Sequence, residues 1–190
     1  CYAAGERVLM RSSVIVGLAN IRADLAVELS VIRWVLYGFV VTLSALMRFA
    51  GSLSDKYGTK RSFNIGVVLF GVASGLCGLA MNPLMLIGLR ALQGVGAALM
   101  VPGSLSIINL CFAQKGRAIG LWAGWSGALA AVGPFIGGGM TETISWRAVF
   151  LCFFPIALGT WWLSSTVVPE LKGGKGSVNV LSTVLIICSF

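Results

Sequence analysis

The sequence holds no histidine, and only 11% of its 190 residues are charged. Soluble domains carry about 25%, so a water-facing shell is hard to build from this chain. Six acidic residues stand against fourteen basic ones, and none of the six falls deep inside a complete apolar run. Hydrolytic and transferase sites need a nucleophile with its base, or a set of metal ligands. Lacking histidine and a deep carboxylate, the chain is assigned no catalytic residue, no metal ligand and no cofactor, and a membrane-embedded enzyme is set aside. The five cysteines (Cys1, Cys77, Cys111, Cys152, Cys188) form no CxxC pair and mostly lie in apolar runs, as small hydrophobes. A net charge of +8 does not imply nucleic acid, because the basic residues fall in short gaps between apolar runs rather than on one amphipathic face. No signal peptide with a cleavage site is visible. The chain opens without Met and stops within an apolar run, so a fragment of a longer protein is expected.

What is present is apolar length. Hydrophobic residues make up 57% of the chain and its mean hydropathy is +0.94. A membrane-spanning helix needs ~20 mostly apolar residues, a length met or nearly met at 34–53, 63–81, 84–112, 118–140 and 148–168. So many runs in succession argue against the buried core helices of a soluble protein. The fold class predicted is an all-α membrane protein of six spans plus the start of a seventh. Its first span, around 8–21, is short and must reach back through Glu6 and Arg7 or begin before Cys1. Residues 1–168 then form one six-helix bundle, 169–177 a cytoplasmic loop, and 178–190 the cut start of the seventh span. The 25 glycines suit helices that approach closely in lipid.

Basic residues fix an expected orientation. With the N-terminus in the cytoplasm, the inner ends hold Arg7, Arg11, Arg48, Lys56, Lys60, Arg61, Lys115, Arg117, Lys172 and Lys175, and the outer loops only Arg22, Arg33 and Arg147. Cytoplasmic loops are the ones enriched in Lys and Arg. Trp34 and Trp146 are placed at the outer interface, Trp161 and Trp162 near the inner one. Short connections at 82–83, 113–117 and 141–147 make neighbouring spans antiparallel.

Three stretches carry more than hydrophobicity. "GSLSDKYGTKRSF" (51–63) crowds Asp55, Lys56, Lys60 and Arg61 between Gly51 and Gly58. Gly51 permits tight helix approach, and Gly58 takes the positive φ of a sharp turn. Asp55 is suited to a helix N-terminus and nearby cations. "LRALQGVGAALMVPGSLS" (89–106) puts Arg90 inside a span, a placement costing about 2.5–3.5 kcal/mol on insertion scales, so it should face a cavity or a partner. Gln93 and Gly94 share its face at i+3 and i+4. "GLWAGWSGALAAVGPFIGGG" (120–139) holds two G-x-x-x-G pairs, Gly120/Gly124 and Gly133/Gly137, with Pro134 removing a backbone hydrogen bond. "GVASG" (71–75) is a further packing pair.

Together these stretches resemble the major facilitator superfamily. The 51–61 run resembles its inner-loop pattern Gly-x-Leu-Ala-Asp-Arg-x-Gly-Arg-Lys, with Thr59 at a usually basic place. The 90–96 run resembles Arg-x-x-Gln-Gly-x-Gly of the fourth span, including Gly96, and the 120–138 run resembles the antiporter motif of the fifth, matching at Gly120, Gly133, Pro134, Gly137 and Gly138, with Leu129 where glycine is usual. "SWRAVFLCFFPIAL" (145–158) resembles the sixth-span entry of multidrug exporters. The brief loop before residue 178 is similar to the fourteen-span drug:proton antiporters of the EmrB/QacA type. The resemblance implies an N-terminal transporter bundle in the plasma membrane, exporting drugs or amphipathic small molecules by proton-coupled alternating access. Its partners are then the lipid bilayer, a small-molecule substrate, protons and the missing C-terminal half, with no nucleic acid. It further implies a conformational latch at Gly51, Asp55, Lys56, Gly58, Lys60 and Arg61, a proton-relay candidate in Arg90, and a cavity reached by Tyr37, Arg90, Gln93 and Trp125. One departure is plain: where the group commonly carries Leu-Asp-x-Thr in the first span, this chain has Leu9, Met10, Arg11 and Ser12. The intramembrane carboxylate that would favour cationic drugs is therefore missing at this place. The alternatives are an importer or metabolite exchanger of the same fold, or an inactive truncation. The orientation is checked by labelling intact cells from outside: Lys60 and Lys115 are expected to stay unlabelled, and labelling of either would reverse the topology.

Overall fold

In lipid every backbone N–H and C=O must be satisfied within the protein, which leaves the helix as the economical spanning element for a chain without strand patterning. The computed structural model describes Gly5, Arg7, Val8 and residues 29–111 and 115–167, and every regular element among them is helical. Five long helices follow in order: α1 (Leu29–Tyr57), α2 (Thr59–Gly78), α3 (Pro83–Cys111), α4 (Lys115–Thr143) and α5 (Trp146–Val167). Each contains a stretch long and apolar enough to cross a membrane. They correspond to the five complete runs after the first span. Gly5, Arg7 and Val8 are helical. The rest of the expected first span, with Leu9 to Ser12, lies outside the described residues, as do the expected 169–177 loop and seventh-span start at 178–190.

The connections are tighter than the hydrophobic pattern implies. The charged stretch after the run at 34–53 is not a loop: α1 continues to Tyr57, and Gly58 is the sole residue between it and α2. Gly58 N–H donates to Ser54 O at 3.1 Å, and Ser62 N–H to Gly58 O at 3.1 Å, so the hydrogen-bond ladder hardly lapses. Likewise the expected 141–147 connection narrows to Ile144 and Ser145, and Lys115 to Arg117 are already helical. Polar ends stay helical because doing so satisfies backbone groups that a loop would have to hand to water. Pro83 opens α3 at the first helical position, where a missing N–H costs nothing.

α3 is the centre of the bundle. It packs along both α1 and α2, α2 in turn carries α5, and α4 touches α3 and α5 only sparsely. Close approach sets this arrangement. A Cβ on Gly94 would stand 2.7 Å from Phe39 O of α1, and one on Gly96 2.7 Å from Phe70 N and 2.9 Å from Gly66 O of α2. Around these contacts sits one apolar core including Val35, Phe39, Val67, Phe70, Cys77, Leu86, Met100, Val149 and Phe150. Ser74 adds a buried tie, its Oγ donating to Phe150 O at 2.8 Å. Trp146 departs from expectation. It is 3% exposed and meets the Phe150 ring edge-on at 6.0 Å, so it belongs to the core rather than to an interfacial belt. Trp34, Trp161 and Trp162 are exposed.

Because the nearest atoms to Gly96 are backbone, they cannot swing aside. Gly96→Ala is expected to destabilise by about 1–3 kcal/mol, the usual cost of overpacking. Gly88, with nothing within 4 Å of an added Cβ, is the control. Thermal unfolding in detergent should separate Gly96→Ala from an unchanged Gly88→Ala, and equal midpoints would contradict the packing described.

Candidate functional site

The least compatible side chain for a membrane interior is Arg90, and it is enclosed almost completely, at 2% exposure. It stands two turns into α3. Its Nη1 donates to Gln93 Oε1 at 2.8 Å, one turn further along the same helix. The guanidinium lies over the Phe39 ring of α1 (5.8 Å to the centroid) and the Phe150 ring of α5 (4.9 Å). Both are within the ~6 Å over which a ring face attracts a cation. Nε has no hydrogen-bond partner, and among the described residues no carboxylate pairs with this cation. Gln93 is itself fully buried. The arrangement is thus a cation held by two ring faces and one amide, able to accept an anionic or hydrogen-bonding partner at its unpaired edge.

Why the chain folds this way locally follows from helix geometry. Gln93 and Gly94 follow Arg90 at i+3 and i+4, so cation, amide and glycine share a face. Gly94 lets α1 close on that face, which brings the Phe39 ring to the guanidinium. Tyr37 is two residues from Phe39 on the same helix, and therefore points well away from it. The four expected cavity residues accordingly divide. Arg90 and Gln93 lie inside the packed bundle. Tyr37 (51% exposed) and Trp125 (48%) are exposed on α1 and α4. Tyr37 stacks edge-on with Trp34 at 6.1 Å. Trp125 Nε1 would come within 3.3 Å of a Cβ on Gly5, beside Leu129, so the N-terminal helical residues reach α4 there.

The residues expected to form a latch lie along the α1–α2 junction. Gly58 has φ 101° and ψ 134°, a conformation that side chains rarely adopt. Asp55 and Lys56 are exposed on the last turn of α1, and Lys56 Nζ lies 5.4 Å from the Tyr57 ring centroid. Gly51 is half-buried, with only Pro102 Cβ near an added Cβ, at 3.9 Å. Lys60 reaches across to α5, its Nζ donating to Ser165 O at 2.9 Å, and Arg61 is exposed. On α4, Gly120 is exposed, Gly133 and Gly137 are buried, and Pro134 and Gly138 are half-buried inside an unbroken helix. The sequence reading missed the Phe39–Arg90–Phe150 sandwich and the Lys60–Ser165 tie. Both join distant helices, and no spacing along the chain announces them.

Gln93 supplies the described hydrogen bond to a buried cation, and such bonds contribute about 1.5–3 kcal/mol. Gln93→Leu is expected to lower stability by that amount, while Gln93→Glu, which offers a carboxylate, should retain or exceed wild-type stability. Denaturant titration in mixed micelles checks this, and a neutral Gln93→Leu would remove the amide from the description.

Comparison with known proteins now bears on the same residues. The family model described as Major Facilitator Superfamily matches residues 7–185. The methylenomycin A resistance protein of Bacillus subtilis is 34% identical over 173 residues, covering 90% of this chain and 37% of that protein. The tetracenomycin C resistance and export protein of Streptomyces glaucescens is 35% identical over 160 residues, covering 82% of this chain and 30% of that protein. The chain thus spans about a third of the length of these relatives. A crystal structure of a mutant peptide transporter POT with sulfate aligns with a TM-score of 0.65 at 14% identity, covering 99% of this chain and 42% of that one, a likeness of fold. With five membrane-length helices, the buried Arg90–Gln93 pair and a family match over nearly its whole length, the chain belongs to the Major Facilitator Superfamily.

Proposed function

We propose that this chain is the N-terminal six-span part of a plasma-membrane exporter, which moves drugs or other amphipathic small molecules outward in exchange for protons. The observation that carries the reading is the naming of its relatives for antibiotic resistance and export. Export proceeds by alternating access, with this bundle rocking against a second one about a site near the midplane. The N-terminus lies in the cytoplasm, so the Gly58 junction faces the cell interior. Gly51, Asp55, Lys56, Gly58, Lys60 and Arg61 latch the two bundles in one state. Arg90 takes part in proton transfer, supported by its burial and unpaired Nε, with Gln93, Gly94 and Gly96 holding it in place. Gly120, Gly133, Pro134, Gly137 and Gly138 form the antiporter segment of α4. Tyr37 and Trp125 line the substrate path, supported by their exposure on α1 and α4.

The full-length protein reconstituted in vesicles tests the reading. Efflux of an amphipathic drug is expected to follow an imposed proton gradient, and to fall to the level of empty vesicles when the gradient is collapsed. Efflux indifferent to the gradient would overturn the coupling, and net inward accumulation would overturn the direction.

A further inference from the structure

Four of the five helices converge on the Arg90 guanidinium. Gln93 of α3 bonds it and the Phe39 ring of α1 lies against it. Cys77 of α2, fully buried, is within electrostatic reach, and the Phe150 ring of α5 is the nearer of the two rings, at 4.9 Å. The bond from Nη1 to Gln93 Oε1 holds one corner of the group only. A guanidinium is a plane with five N–H donors, and a plane pinned at one corner can turn about that pin. Nε makes no hydrogen bond, so it adds no second pin. What lies against the plane must therefore set its orientation.

Phe150 is built for that task, because it is itself held from two sides. Ser74 Oγ of α2 donates to its backbone O at 2.8 Å, and Trp146, also buried, meets its ring edge-on at 6.0 Å. A line of contact thus runs from Trp146 through Phe150 and Arg90 to Phe39, across α5, α3 and α1. Leucine would fill the same space but has no π face. A phenylalanine ring carries negative charge on its face, and a desolvated cation over such a face is worth about thirtyfold in an equilibrium constant. We infer that Phe150 is a positioning residue for Arg90: the face of its ring, rather than its bulk, holds the guanidinium in the place from which Arg90 serves proton exchange. The role in exchange rests on the proton-transfer reading of Arg90 given above, whereas the ring contact does not.

The full-length protein tests this when it carries phenylalanine, or its 4-fluoro, 3,5-difluoro or 3,4,5-trifluoro analogue, at position 150. Added fluorine drains negative charge from the ring face with little change of shape. Thermal unfolding midpoints in detergent are expected to fall by several degrees across the series. They should stay level in an Arg90→Met background, or in Arg90→Gln if that variant does not fold. In vesicles, the maximal rate of gradient-driven efflux of an amphipathic drug should fall about tenfold by the trifluoro analogue, most of what the ring contact is worth, with the KM for the drug unchanged. Phe150→Leu should match the trifluoro protein. Level midpoints with Arg90 present, or an equal slope without it, would overturn the ring contact. A midpoint that falls while the gradient-driven rate holds would overturn the positioning role, as would a KM that rises in step with the lost rate. An unmodified protein without gradient-driven efflux would sink the proton-exchange reading and the positioning role with it, while the midpoints still judge the ring contact.

Discussion

Between the backbones of α2 and α3 there is no room for a methyl group, and the same holds between α1 and α3. Lipid tails are as apolar as leucine, so helices in a bilayer gain little from hiding hydrophobic surface from one another. They associate through dense packing, and density requires small residues where axes cross. Gly94 and Gly96 are two positions apart, which places them on nearly opposite sides of a helix. One meets Phe39 O of α1, the other Phe70 N of α2. That spacing is what puts α3 in the middle of three helices rather than at an edge.

A central α3 also explains how Arg90 is tolerated. A lone cation facing hydrocarbon would be expelled toward the interface, as long basic side chains near helix ends are. Arg90 has no such escape, and the bundle supplies ring faces and an amide instead. Arg90, Gln93 and Gly94 therefore act as one unit: the glycine closes the gap, the closure delivers Phe39, and the ring faces the charge that Gln93 steadies. Losing any member alters the surroundings of the others.

Much of the architecture was legible in the sequence. Apolar length alone located the five complete spans, because a bilayer demands roughly 20 such residues whatever their order. It misjudged their ends, since polar residues such as Asp55 and Lys56 add helix without adding hydropathy. Trp146 was misplaced because the aromatic-belt rule speaks of lipid-facing side chains, and this one turns inward onto Phe150. Arg90 and Gln93 stood out as chemically costly residues in an apolar run, whereas Phe39 and Phe150 looked like any other phenylalanine. What distinguishes those two is the company they keep across helices, and a single sequence does not record it. The division of the expected cavity set into buried and exposed pairs was hidden for the same reason.

The junction at Gly58 has a mechanical meaning beyond its dihedral angles. The helix ends Tyr57 and Thr59 are two Cα steps of about 3.8 Å apart, so the two rods have little slack between them. Push the foot of α1 sideways and the foot of α2 must follow; α2 then pulls the tail of α5 through the strut that Lys60 makes to Ser165. Three of the five rods described are thus tied at one end of the molecule, α1 to α2 through Gly58 and α2 to α5 through Lys60.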